Sequence, residues 1–494
     1  MNTQNHVDVL VVGAGISGIG AGYFLQRECP DRSYAILEGR ADLGGTWDLF
    51  RYPGIRSDSD MHTLGYSFKP WTDAKTIADG PSILKYLRET ASEYGVDQNI
   101  RYNHQVTRAE WASDKATWTV DAVVGPEQSP TTFTCNYLFM CSGYYSYKSG
   151  YKPDFAGAED FAGEIVHPQE WPEDLDVNDK KVVVIGSGAT AVTIVPAIAD
   201  QVESVTMLQR SPTYMVSRPS VDAFSQKLRK YLPEKRAYDI TRKLNSWRGE
   251  FFYNQTRSKP DKVREQLLGL ARKELGEEEI AKNFTPRYNP WDQRLCLMPD
   301  GDFFKSIKDG KASVVTAEID RFDPTGIQLT NGERLDADVI VTATGLQLVT
   351  VGDMDFIVDG KQVDFSKTWT YRGVGYSDVP NMASSFGYIN ASWTLRSDLI
   401  CEFVCRVLNH MSETDTTICT PRLRPADADM PERPWIEDFE SGYMSRMMPL
   451  LPKQGDREPW TNPQRYSFDK KVLRKAPLED GAMLFSNPLV PATV

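Results

Sequence analysis

Two short glycine-rich turns, each set between an apolar run and a helical stretch, constrain this chain more than any other feature. The first follows VDVLVV at residues 7–12 and runs Gly13-Ala14-Gly15-Ile16-Ser17-Gly18; helical spacing continues to about Cys29, and the next apolar run ends at Glu38. The second follows KVVVI and runs Gly186-Ser187-Gly188-Ala189-Thr190-Ala191, continues as apolar helix to about Ile198, and returns in SVTMLQR. Strand, turn, helix, strand is the repeating unit of a doubly wound sheet. In such a turn the first glycine reverses the chain and the second lets the backbone approach a pyrophosphate. The third position, Gly18 or Ala191, lets the helix pack closely on its strand. The expected fold class is therefore α/β, with two Rossmann-like dinucleotide-binding domains.

The far ends of the two units differ. Glu38 closes the second strand of the first unit, where a carboxylate accepts both ribose hydroxyls of an adenosine. The equivalent strand of the second unit ends in Gln209-Arg210-Ser211. A cation and a hydroxyl at that place favour a ribose 2′-phosphate. The expected cofactors are FAD at the first site and NADPH at the second, with electrons passing from nicotinamide to flavin.

At 494 residues the chain exceeds one compact core. We read an FAD-binding domain in two parts, residues 1–150 and 346–494, with an NADP-binding domain inserted at 151–345. Within the insert, residues 222–284 take on charged, amphipathic helix spacing, as in KVREQLLGLARKEL. This helical insertion reads as a solvated lid, with substrate gating or peripheral membrane contact as the alternatives. From about Pro421 the chain is rich in proline and acidic residues and reads as a wrapping tail.

With 68 acidic against 56 basic residues, the net charge of −12 argues against a nucleic-acid partner. No apolar run reaches 18 residues and no secretory signal opens the chain, so the expected location is cytoplasmic. Five scattered histidines in no ligand spacing give no metal site. Nothing in the pattern sets an oligomeric state.

Between the two units lies FAGEIVHPQEWP, with Phe161, Gly163, His167, Trp171 and Pro172 in the pattern FxGxxxHxxxWP. It resembles the fingerprint of type I Baeyer-Villiger monooxygenases. A second stretch, GTWDLFRYPGIRSD, resembles that family's GxWxxxxYPGxxxD through Gly45, Trp47, Tyr52, Pro53, Gly54 and Asp58. Cys141-Ser142-Gly143 and Ala343-Thr344-Gly345 follow strands and look like the junctions at which the chain passes between the two domains. DLFRYPGIRSDSDM and YNPWDQRLCL are most similar to a bacterial subgroup that activates thioamide prodrugs and oxidises lipophilic ketones.

The resemblance implies insertion of one oxygen atom of O2 into a lipophilic ketone, giving an ester, or into a soft sulfide. It implies Arg294 as the fixed cation stabilising an anionic C4a-peroxyflavin and the later oxyanion, with Asp58 holding the guanidinium. Sequence alone does not show that the two meet. Ser17, Gly45, Thr46, Trp47, Thr190, Thr344, Gly345 and Asn390 are expected cofactor neighbours. Asn390 or Ser392 is read as capping a helix aimed at the flavin. Phe161, Gly163, His167 and Trp171 are expected to couple domain movement rather than transfer protons. One departure is Gln293, where many members have lysine beside the catalytic arginine.

Three rivals stay open. A flavin-containing monooxygenase would oxidise only nucleophilic N or S. A pyridine-nucleotide disulfide reductase would need a redox dithiol, and no CxxC lies near the first turn. A non-catalytic flavin sensor would not pass electrons from NADPH.

Overall fold

The computed structural model describes residues 5–437 and 441–488. Its two main sheets grow from the two apolar runs that precede the glycine turns. His6–Val12 is buried on both faces of the strand from Val9 to Val11, as a central parallel strand must be. It pairs in parallel with Tyr34–Leu37 on one side and Ser129–Met140 on the other. Lys181–Ile185 occupies the same place in the second sheet, between Ser204–Gln209 and Val339–Thr342, all parallel. Ala312–Thr316 and Glu164–Val166 complete this five-stranded parallel sheet at its edges.

In each sheet the central strand stands where the winding reverses, and a doubly wound sheet opens its ligand crevice at the carboxyl end of that strand. Gly13 and Gly186 sit at those two ends.

The first sheet keeps its parallel core and adds an antiparallel part. Beyond Ser129–Met140 it continues as an antiparallel meander through Thr117–Val124 and His104–Ala112, edged by Asp355–Val358 and Lys361–Gln362. Its strands alternate inward residues such as Trp111, Trp118 and Val120 with polar ones, a period-two signal distinct from the βαβ units.

The chain crosses between the sheets twice. Tyr145–Gly150 leaves the first sheet, Leu346–Leu348 returns to it, and the two crossings pair with each other as an antiparallel ladder.

Residues 223–283 form four helices: Ala223–Arg229, Glu234–Ser258, Pro260–Leu275 and Glu277–Asn283. Pro260–Leu275 buries Val263, Leu267, Leu268 and Ala271 in the core of the second sheet. Glu234–Ser258 reaches the other way. Its Arg242 donates to the carbonyls of His62, Thr63 and Gly65, and Tyr238 to that of Tyr66, all in the first domain. The insertion is thus a brace between the two halves, more than a solvated cover.

The tail after Pro421 holds more regular structure than its composition predicts. Helix Tyr466–Lys475 packs on helix Trp393–Glu413 through buried Leu473 and Asp469, and Met483–Ser486 pairs with Ile418–Pro421.

Candidate active site

The two glycine turns are built alike. Gly13 has φ +102° and donates its amide to the Leu37 carbonyl at 2.7 Å; Gly186 has φ +133° and donates to the Leu208 carbonyl at 2.8 Å. A side chain at Gly13 would stand 2.6 Å from the Cys141 carbonyl oxygen, and one at Gly186 2.3 Å from that of Ala343. Each turn therefore lies directly against the return motif of its own sheet, Cys141-Ser142-Gly143 or Ala343-Thr344-Gly345. Gly18 and Ala191 are buried beneath their turns, where a Cβ on Gly18 would fall 1.8 Å from the Gly13 oxygen.

One cavity of about 1460 Å³ joins both turns, larger than the few hundred to about 1000 Å³ usual for one small ligand. Gly13, Gly15, Ser17 and Glu38 line one end; Gly186, Gly188, Thr190, Arg210 and Ser211 line the other. Gly45, Thr46, Trp47, Thr344 and Gly345 lie along it. Gly45, at φ +55°, brings a Cβ position within 3.0 Å of the Gly15 Cα, so the backbone floor there has no room for side chains. That cradle, and open space around Gly188, fit two extended dinucleotides better than one compact ligand.

Glu38 is buried, and its carboxylate accepts the Ala14 amide at 2.7 Å and the Arg40 amide at 2.9 Å. Burial raises its pKa above the usual carboxylate range, against the opposing effect of those two amides. Its remaining lone pairs stay available to hydroxyl donors. Arg210 is exposed directly after Ser204–Gln209.

On the wall of the same cavity, Arg294 Nη2 and Asp58 Oδ2 stand 2.7 Å apart, each side chain about one-third or less exposed. Arg294 follows the helical insertion and Asp58 follows the GTW turn, so folding joins two motifs that the sequence left separate. Gln293 and Arg294 both line the cavity. Tyr52, from the same stretch as Asp58, hydrogen-bonds Thr190 of the second turn, and burial pushes its hydroxyl up to about 12.

Helix Trp393–Glu413 points its N-terminus at the cavity through Ala391 and Trp393. Two details of its expected capping are corrected. Ser392 occupies the cap position, but its hydroxyl pairs with Thr63 Oγ1 at 2.7 Å and caps nothing. Asn390 does not line the cavity; its amide donates to the Gln464 carbonyl, in a tail whose course sequence spacing does not reveal. Trp393 takes the place at the cavity wall, donating to Ser17 Oγ at 2.8 Å and stacking on Tyr144 at 5.3 Å. A tryptophan ahead of an amphipathic helix reads as core, which is why it escaped notice. Arg446, whose guanidinium lies 3.7 Å over the Tyr151 ring at the cavity edge, was hidden in the same tail.

His167 is not among the residues that line this cavity and sits against the paired crossings. Its Nε2 donates to the Gly345 carbonyl at 3.1 Å and its Nδ1 accepts the Gln169 amide at 3.2 Å. Gly150 leaves no room for a Cβ against the imidazole. Phe161 packs beside Phe322, a Cβ at Gly163 would meet the Asp338 oxygen at 2.1 Å, and Trp171 rests on the core of the second sheet.

Two glycine turns of dinucleotide-binding type opening on one cavity, with a charged pair on its wall, fit an oxidoreductase that binds two dinucleotides. The flavin-binding monooxygenase-like family profile matches residues 7–229, and the FAD-containing monooxygenase EthA of Mycobacterium tuberculosis is 50% identical over 493 residues, 99% of each chain. The chain belongs to this family of flavin monooxygenases. Among solved structures, an oxidised steroid monooxygenase bound to NADP superposes with a TM-score of 0.79 at 22% identity, covering 98% of this chain and 100% of its own. Cyclohexanone monooxygenase from Rhodococcus sp. Phi1 bound to NADP+ gives 0.77 at 19% identity, covering 98% and 99%. These last two establish the shared fold.

Proposed function

We propose that this enzyme uses FAD and NADPH to insert one oxygen atom of O2 into lipophilic ketones, giving esters, and that it also oxygenates soft sulfides. The Arg294–Asp58 pair, lining the cavity onto which both glycine turns open, carries this reading. In balance, ketone, O2, NADPH and a proton give ester, water and NADP+. Bound flavin, once reduced, supplies the electrons that activate O2.

FAD would lie against Gly13, Gly15, Ser17, Glu38, Gly45, Thr46 and Trp47, in a domain formed by residues 1–150 and 346–494. NADPH would lie against Gly186, Gly188, Thr190, Arg210 and Ser211, in residues 151–345. Arg294 presents a fixed positive charge where negative charge develops on oxygen, and Asp58 fixes the plane of its guanidinium. Trp393 and Tyr144 form an aromatic wall that excludes water. Phe161, Gly163, His167 and Trp171 couple the movement of one domain to the crossings beneath it.

Support for a ketone substrate comes from the names of the two structural neighbours, which act on a steroid and on cyclohexanone, and from the EthA-like motifs. The test is mass analysis of products from linear, cyclic and aryl ketones and from an aryl sulfide, with NADPH and air. Ester from any ketone is the expected result. Sulfoxide with no ester from any ketone overturns the ketone assignment in favour of N/S oxygenation alone.

A further inference from the structure

Helix Glu234–Ser258 uses one face to brace the two domains and leaves the other uncovered. On that outer face Ile240, Lys243, Trp247 and Phe251 follow one another at helical spacing in a single stripe. Trp247 is 61% exposed and Phe251 52%, and their rings stack at 5.5 Å; Tyr231, at the entry to the helix, is 78% exposed. Large aromatic rings clustered in water mark an interaction surface.

The charge around them reverses that of the whole chain. Lys227, Lys230, Lys235, Arg236, Lys243 and Arg248 are all exposed, against two exposed carboxylates in the same two helices and their linker, Glu234 and Asp239. The chain as a whole carries −12. Aromatic rings interleaved with cations match the depth profile of an anionic lipid surface: rings settle at headgroup level, and the long cationic side chains reach the phosphates. A symmetric second copy is disfavoured, because an isologous contact through this stripe sets cations against cations.

We propose that the outer face of helix Glu234–Ser258, centred on Trp247 and Phe251, docks this enzyme on membranes containing anionic phospholipid. The inner end of the same helix bears on the cavity: Arg257 pairs with Asp292 at 2.9 Å and Tyr253 meets the Trp291 ring, next to Gln293 and Arg294. Docking is independent of the oxygenation reaction and is read without turnover.

The test is flotation of the holoenzyme with vesicles of phosphatidylcholine alone and of phosphatidylcholine mixed with phosphatidylglycerol, in the absence of NADPH. Binding to the mixed vesicles alone, released by salt near 1 M where screening shortens to about 3 Å, is expected. Lys243→Gln with Arg248→Gln weakens partitioning about five-fold per cation, about thirty-fold together. Trp247→Ser with Phe251→Ser abolishes flotation. Circular dichroism and bound-flavin absorbance, unchanged in these surface variants, separate loss of docking from loss of fold. Failure to float with mixed vesicles overturns the proposal, as does equal binding to neutral vesicles or full binding by both variants. A wild-type oligomer that Trp247→Ser with Phe251→Ser converts to monomer, with no flotation by either, assigns the stripe to self-association instead.

Discussion

Arg294 Nη2 and Asp58 Oδ2 stand 2.7 Å apart, although one follows the helical insertion and the other the first domain's GTW turn. A pair this exposed contributes little to stability; its worth lies in where it points. Arg294→Ala is expected to keep NADPH oxidation and to lower ester formation by about 10² to 10³, the usual effect of removing one preorganised stabiliser. Asp58→Ala should lower it less, and the double variant should match Arg294→Ala alone, since the two act as one unit. Comparing ester formed with NADPH consumed checks this; additive losses would show that the residues act separately.

Arg210 directly follows the strand Ser204–Gln209 and lines the cavity. Arg210→Gln should raise the KM for NADPH by about 10- to 100-fold, as expected when a charge-assisted hydrogen bond is lost, and leave NADH nearly unchanged. The ratio of kcat/KM for the two nucleotides measures it. A ratio unmoved by the substitution would place the 2′-phosphate elsewhere.

Gly18 has no space for a methyl group, with the Gly13 oxygen 1.8 Å from where its Cβ would be. Gly18→Ala should push the first helix off its strand, destabilise the protein by about 1–3 kcal/mol, and release the flavin. Thermal unfolding and flavin absorbance after gel filtration report both. Full flavin occupancy in this variant would mean that the first turn is not the flavin's cradle.

His167 is held with Nδ1 accepting and Nε2 donating, so the neutral ring satisfies both partners and a second proton would break the Gln169 bond. Burial lowers its pKa below the ordinary value of about 6.5. The unfolded chain therefore binds the proton first as pH falls. Stability from this group is complete above about pH 6.5, declines as pH drops through the folded pKa, and is level below it. The unfolding free-energy difference between wild type and His167→Gln should shrink across that acid window. A difference constant with pH would show that the ring is not held neutral.

Much of this site was legible because backbone geometry imposes residue types. Gly13 and Gly186 are glycine because the turn itself takes a positive φ, and Gly18 because a Cβ there would meet the nearby Gly13 oxygen, all local requirements, and Glu38 and Arg210 stand at strand ends that periodicity locates. Trp393, Arg446 and the helix Tyr466–Lys475 were not legible. Their positions depend on contacts distant in sequence, such as Trp393 on Ser17, 376 residues apart, and Leu473 with Arg406 of the long helix, 67 apart. Asn390 shows the converse error: a residue placed correctly beside a helix start, but turned toward a tail whose course no local rule predicts. The Arg294–Asp58 contact belongs to the same class, since only family resemblance, and no local pattern, suggested it.

The paired crossings, Tyr145–Gly150 with Leu346–Leu348, bear on the domain movement proposed above. Two ribbons bonded edge to edge resist sliding past one another, so neither can lengthen while the other stays still. What remains soft is bending across the ribbon, a swing about a single axis. With His167 bonded to the Gly345 carbonyl beside it, the domain movement proposed above would turn about this strap as about a door hinge, along one arc, rather than swing on a tether.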